Sequence, residues 1–276
     1  MEEKKQKIEQ TAAKAQNAAE ERNAEAAKTL FYAADARQPK GSIVICPGGG
    51  YRFLSPREAA PVAAMFTKAG WNAYVLSYTV NASEAPENRP GRKVLLETAD
   101  AVAAAKAALP EKPVILCGFS AGGHVAAMLG VHWDDAALFP EKARQTAVRP
   151  DGLILCYPVI SAGEYAHKGS FRNLTEPAEY AYYSAELHVK ETTPPTFLWH
   201  TAADEQVPVQ NSLLFANALA EKHVPFELHI YPYGVHGLSL ATKEVEEPEK
   251  NRLADPHVAG WAQACIAWLN LMFPVK

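Results

Sequence analysis

Gly118-Phe119-Ser120-Ala121-Gly122 follows directly on the apolar run Val114-Ile115-Leu116-Cys117, and the small-residue stretch Ala121 to Leu129 follows it in turn. A short strand that runs into Gly-x-Ser-x-Gly and then into a helix restricts the fold more than any other feature of the chain. The turn is too sharp for side chains on both flanks, which is what the two glycines answer. The serine between them is forced into strained backbone, with its hydroxyl at the strand tip and its backbone at a helix N-terminus. The bare pentapeptide arises often by chance. The strand before it and the helix after it supply the context that separates this serine from an incidental one.

Around that turn, apolar runs and helical patterns alternate. The pattern predicts strands at 29–32, 42–46, 72–78, 114–119, 153–157, 196–200 and 226–231, with helices over 58–69, 92–109, 121–129, 209–222 and 257–272. Near-continuous apolar strands separated by helices imply an α/β fold, with a mostly parallel central sheet and helices on both faces. A chain of 276 residues, 48% hydrophobic, has the material for one large core. Residues 1–28 stand apart: eight are Ala and twelve are charged, so a helix there has no apolar stripe to bury. They read as a polar N-terminal helix or tail, and the catalytic domain as 29–276. Residues 161–195 lie between two strands and carry Tyr165, Phe171, Tyr180, Tyr182 and Tyr183. So long a connection reads as a lid-like insertion, the alternative being a surface excursion whose aromatics pack on the body.

Composition excludes several classes. A net charge of −4 gives no basic surplus for nucleic acid or an acidic membrane. No run of about 18 apolar residues exists to span a bilayer, and residues 1–28 contain no apolar segment of the secretory kind. Cys46, Cys117, Cys156 and Cys265 lie in apolar patterns without metal-ligand spacing, so they read as reduced, buried hydrophobes in a cytoplasmic protein that binds no metal.

A serine hydroxyl needs a base within hydrogen-bond reach, and the base needs an orienting acid. Behind a strand–turn–helix serine, the chain order is serine, acid, histidine. The acid is Asp204, in the loop at the carboxyl end of the 196–200 strand, where open α/β sheets place their ligands. Glu205 is its neighbouring alternative; Asp100 falls mid-helix and Asp151 precedes a strand. The base is His236, in the Gly234-Val235-His236-Gly237 loop after the 226–231 strand. His200 is its rival but precedes the acid. His124, four residues beyond Ser120, reads as a buttress, and His229 as a strand residue. Pro47-Gly48-Gly49-Gly50-Tyr51 follows the strand ending at Cys46. It has neither the Lys-Ser/Thr nor the glycine spacing of a phosphate loop. It fits an oxyanion hole, with Gly49 as first donor, Gly48 or Gly50 as second, and the N–H of Ala121 completing it. Gly50 and Tyr51 would border the substrate.

These stretches, with Pro194 to His200, Val207-Pro208 and Tyr231-Pro232, span about residues 29–272. Together they resemble the α/β-hydrolase superfamily, and more narrowly the acetyl-esterase branch that includes bacterial acetylxylan and feruloyl esterases. The resemblance implies an α/β-hydrolase fold with a small lid insertion. It implies a serine carboxylesterase acting on small acyl esters, often acetyl groups on xylan or other carbohydrates, through an acyl-enzyme and without metal or organic cofactor. Its substrate partner would be a small acyl ester or an acetylated oligosaccharide, on whose sugar rings the aromatics of 161–195 could stack. Such enzymes usually carry additional strands before the one at Thr29, so the sheet is expected to be short by an edge strand. Two alternatives stand beside this reading. One is a serine peptidase of the same fold, whose relatives typically carry an accessory domain for which 276 residues leave no room. The other is a binding protein on a hydrolase scaffold, which would lack a triad member.

Overall fold

The computed structural model describes residues 28–274; the helix or tail expected for 1–28 thus lies, but for Lys28, outside the described residues. Seven strands form one sheet: β1 Lys28–Tyr32, β2 Ser42–Cys46, β3 Asn72–Ser77, β4 Val114–Phe119, β5 Gly152–Cys156, β6 Thr196–Thr201 and β7 Phe226–Tyr231. Their order is β1-β3-β2-β4-β5-β6-β7. All neighbours are parallel except β1, which runs antiparallel to β3 with Leu30 opposite Val75. β2, β4 and β5 are buried along their whole length, as strands covered on both faces must be.

Alternate strand residues face opposite layers. Val44, Leu116, Leu155 and Leu198 pack with α2 (Lys93–Ala108), α3 (Ala121–His132) and α6 (Gln210–Glu221). Ile43, Ile115, Ile154 and Phe197 pack with α1 (Ala60–Lys68) and α7 (Pro256–Met272), where Trp199 and Trp261 stack at 5.1 Å. Two further helices, α4 (Lys142–Val148) and α5 (Lys168–Leu174), have only seven residues each, too few to show a helical period in the sequence.

The strand order positions the site. The chain leaves β2 for β3 through α1 on one face, then returns to β4 through α2 on the other. β2 and β4 are therefore neighbours whose following loops part in opposite directions. Ligands of open α/β sheets bind in the crevice such a reversal leaves. Here Cys46 pairs with Gly118, so the glycine run after β2 lies alongside Ser120. The insertion 161–195 packs inward. Phe171 and Tyr183 are buried against His124, and none of its five aromatics lines the pocket beside Ser120. The half of the expectation that placed its aromatics on the body describes the packing. Its polar residues His167, Arg172 and Asn173 face the pocket instead. Among the described residues no helix is long and apolar enough to cross a membrane.

Candidate active site

Ser120 links β4 to α3 with φ 53° and ψ −118°, backbone that an L-residue adopts only under constraint. The flanking glycines are sterically required. A Cβ on Gly118 would lie 2.1 Å from the Gly122 carbonyl oxygen, and one on Gly122 would lie 2.0 Å from the Cys46 carbonyl oxygen. The Ser120 N–H donates to the Cys156 carbonyl at 3.0 Å, which ties the turn to the end of β5.

The Ser120 hydroxyl is 2.7 Å from His236 Nε2, and His236 Nδ1 is 2.6 Å from Asp204 Oδ2. The carboxylate accepts, so Nδ1 carries the proton and Nε2 is left to accept from the serine. The second oxygen of Asp204 accepts from the N–H groups of Gln206 and Val207, both at 2.9 Å. Burial alone would raise the Asp204 carboxyl; hydrogen bonds from His200 and His236, and the charge at His236, outweigh it and hold the group well below the usual carboxylate range.

His200 is fully buried and props the acid rather than touching the serine. Its Nε2 lies 3.2 Å from Asp204 Oδ2 and 2.9 Å from the Val207 carbonyl oxygen, and Ser212 Oγ meets its Nδ1 at 2.8 Å. His124 donates from Nε2 to the Tyr183 carbonyl at 2.7 Å and accepts the Tyr51 hydroxyl at Nδ1, 2.6 Å away. Burial lowers its pKa to about 4, so it is a neutral strut.

Two expectations need correction. Tyr51 does not border a substrate: its φ of 58° turns the side chain inward, where it is 1% exposed and bound to His124. Gly48 does not offer a free donor, because its N–H is committed to Glu58 Oε2 at 2.7 Å. Gly49 and Ala121 remain, with Gly50 as the alternative to Gly48. Among the described residues none of these three N–H groups donates a hydrogen bond; that of Ala121 is a first-turn helix group with no intrahelical partner. Gly49 has φ 134°, and a Cβ there would lie 1.9 Å from the Phe53 carbonyl oxygen, so only glycine fits. Gly50 borders the pocket, near Ser170 and His167.

Glu58 escaped the sequence reading. It is 3% exposed, accepts the Gly48 N–H on one oxygen and the Tyr157 hydroxyl on the other at 2.6 Å. Tyr157 in turn accepts the Ser239 N–H at 2.9 Å, three residues beyond His236. Burial, then the Glu58 charge, pushes the Tyr157 phenol well up, so it stays a donor. One carboxylate thus joins the glycine loop to the histidine loop. A cavity of about 440 Å³ opens over Ser120 and His236. Its rim is cationic: Arg57, Lys250 and Arg252 share Glu247, while Arg52 and Arg172 share Glu84.

A serine, a histidine and an aspartate in this relation, on this sheet, define a serine hydrolase of the α/β-hydrolase fold. A family model described as the prolyl oligopeptidase family matches residues 93–254, more than half of the chain. The chain belongs to the prolyl oligopeptidase family. It is 41% identical over 212 residues to endo-1,4-beta-xylanase B of Butyrivibrio fibrisolvens; the match takes in 73% of this chain and 33% of the relative, so the chain spans about a third of that protein. Among solved structures it resembles an acetyl ester-xyloside bifunctional hydrolase from Caldicellulosiruptor lactoaceticus, with 34% identity, a TM-score of 0.76, and 91% and 89% of the two chains covered. A carboxylesterase from Lactobacillus plantarum aligns at 27% identity and a TM-score of 0.76, over 90% of this chain and 93% of that one. Both of these solved neighbours carry ester-hydrolase names, on the same fold as this chain.

Proposed function

We propose that the protein removes small acyl groups, acetyl above all, from esterified carbohydrates through an acyl-enzyme on Ser120. The observation that carries the reading is the unbroken chain Ser120–His236–Asp204, with contacts of 2.7 and 2.6 Å. Ser120 Oγ attacks the ester carbonyl carbon while His236 Nε2 takes its proton. The N–H groups of Gly49 and Ala121 bind the resulting oxyanion. The bond to the alkoxy oxygen then breaks, and His236 protonates the departing alcohol. Water, deprotonated by His236, attacks the acyl-enzyme and releases the acid and the free serine. Residues 29–276 act as one catalytic domain, with 161–195 as an insertion walling the pocket. The acetyl ester-xyloside hydrolase and the xylanase among the relatives support a carbohydrate alcohol.

The family's name makes amide cleavage the second reading. The cationic rim disfavours it, since a substrate presenting a protonated amine meets more positive than negative groups there. The test sets acetylated xylo-oligosaccharides beside an aminoacyl p-nitroanilide, with acid quench and intact-mass measurement. The expected result is acetate release and an acetyl adduct on the Ser120 peptide. Faster p-nitroaniline release than acetate release overturns the reading.

Glu58→Gln is expected to lower kcat about tenfold with KM little changed. With its amide nitrogen towards Gly48, the glutamine sets donor against donor; with the nitrogen towards Tyr157, the hydroxyl can only accept and its own proton loses the carboxylate that held it, so either way one of the two loops is held less well. Steady-state kinetics beside a thermal melt check this. A melt that shifts while kcat holds would make Glu58 a purely structural residue.

A further inference from the structure

A second cavity, of about 600 Å³, opens beside the catalytic pocket and shares His236, Gln206, Lys250 and Arg252 with it. On its wall stands Tyr233, 77% exposed, the most exposed aromatic side chain among the described residues. Exposure here does not come from a slack loop. Tyr231, two residues earlier, is anchored in β7 and 8% exposed. Gly234, the next residue, has φ 131°; a Cβ there would meet Leu238 and Thr201 at 2.8 Å, and its carbonyl accepts the Thr201 hydroxyl at 3.0 Å. The chain is thus held on both sides of a ring left in water. Tyr233 and His236 are three positions apart, a reach of at most about 11 Å.

The cavity's other walls are mixed. Leu253 is 48% exposed, and Glu205, Gln206 and Asn251 supply donors and acceptors. An aromatic ring on a wall shared with polar groups of both kinds matches the two-sided chemistry of a pyranose: C–H groups on the ring face, hydroxyls at its edge. We infer that this cavity is a sugar subsite, with Tyr233 as its stacking platform, holding the oligosaccharide residue next to the one whose ester meets Ser120. The inference rests on the carbohydrate-ester reading. It also moves the sugar-stacking role away from the buried aromatics of 161–195.

The test compares wild type, Tyr233→Ala and Tyr233→Trp on acetylated xylotetraose and on p-nitrophenyl acetate. The quantity read is the ratio of the two kcat/KM values. In Tyr233→Ala the ratio falls about tenfold, through KM for the oligosaccharide; in Tyr233→Trp, which keeps a ring face, it stays within about threefold of wild type. An unchanged ratio in Tyr233→Ala, when wild type prefers the oligosaccharide, overturns the subsite and leaves the carbohydrate reading standing. A wild type that gains nothing from the oligosaccharide overturns both. A melt by circular dichroism confirms that each variant is folded.

Discussion

Ser120→Ala is expected to lower kcat on p-nitrophenyl acetate by on the order of 10⁶. The loss is that large because the serine, histidine and aspartate act as one unit: without Oγ, His236 has no proton to take and no covalent intermediate forms. What survives is the stabilisation from Gly49 and Ala121 N–H groups and from binding, about 10³–10⁴ over water. The fold is expected to be unaffected. Alanine has the same Cβ as serine, so the strain at φ 53° is the same, and among the described residues the deleted oxygen hydrogen-bonds only to His236. A fluorophosphonate probe is expected to label the wild type and not the variant. A Ser120→Ala protein that keeps a tenth of the wild-type rate would remove Ser120 from the chemistry.

The middle of the sheet was legible because parallel strands buried on both faces leave near-continuous apolar runs; with the more exposed β1 and β7 included, all seven predicted strands lie within a residue of the observed ones. Ser120, Asp204 and His236 were readable for a different reason. Each occupies the loop after a strand, and chain order names their roles before any distance is known. The failures share one cause, the tertiary partner of a polar group. Nothing local to Gly48 shows that its N–H is taken by a carboxylate ten residues on. Nothing local to Glu58 separates a buried carboxylate from an ordinary first-turn acid. Tyr51 beside a glycine run reads as pocket wall until a positive φ turns it to His124. His200 looked like a competing base because sequence gives proximity to Asp204 without direction; in the structure it braces the acid. Tyr233 was passed over because a loop tyrosine carries no sign of whether its ring faces core or water.

Asp204→Asn is expected to reduce kcat by about 10⁴. The size follows from the carboxylate's four commitments. One oxygen accepts from His236 and His200, and the other from the N–H groups of Gln206 and Val207. An asparagine must place its NH₂ on one side or the other. Towards the histidines, it donates to His236 Nδ1, moves the imidazole proton to Nε2, and leaves that nitrogen unable to accept from Ser120. Towards the backbone, it sets donor against two donors in a buried loop, and the loop carrying the residue must shift. Neither orientation keeps the array. The same group gives a pH signature. The Asp204 carboxyl is held below its unfolded value of about 3.9, so its contribution to stability is full above that pH and is lost as pH falls towards the folded pKa. Asparagine does not titrate. The gap in Tm between wild type and Asp204→Asn at pH 7 should therefore narrow as pH drops below about 4. A variant with near-native kcat would shift the orienting role to the adjacent Glu205. A Tm gap that does not narrow with acid would mean that the hydrogen bonds at Asp204 do not favour its charged form.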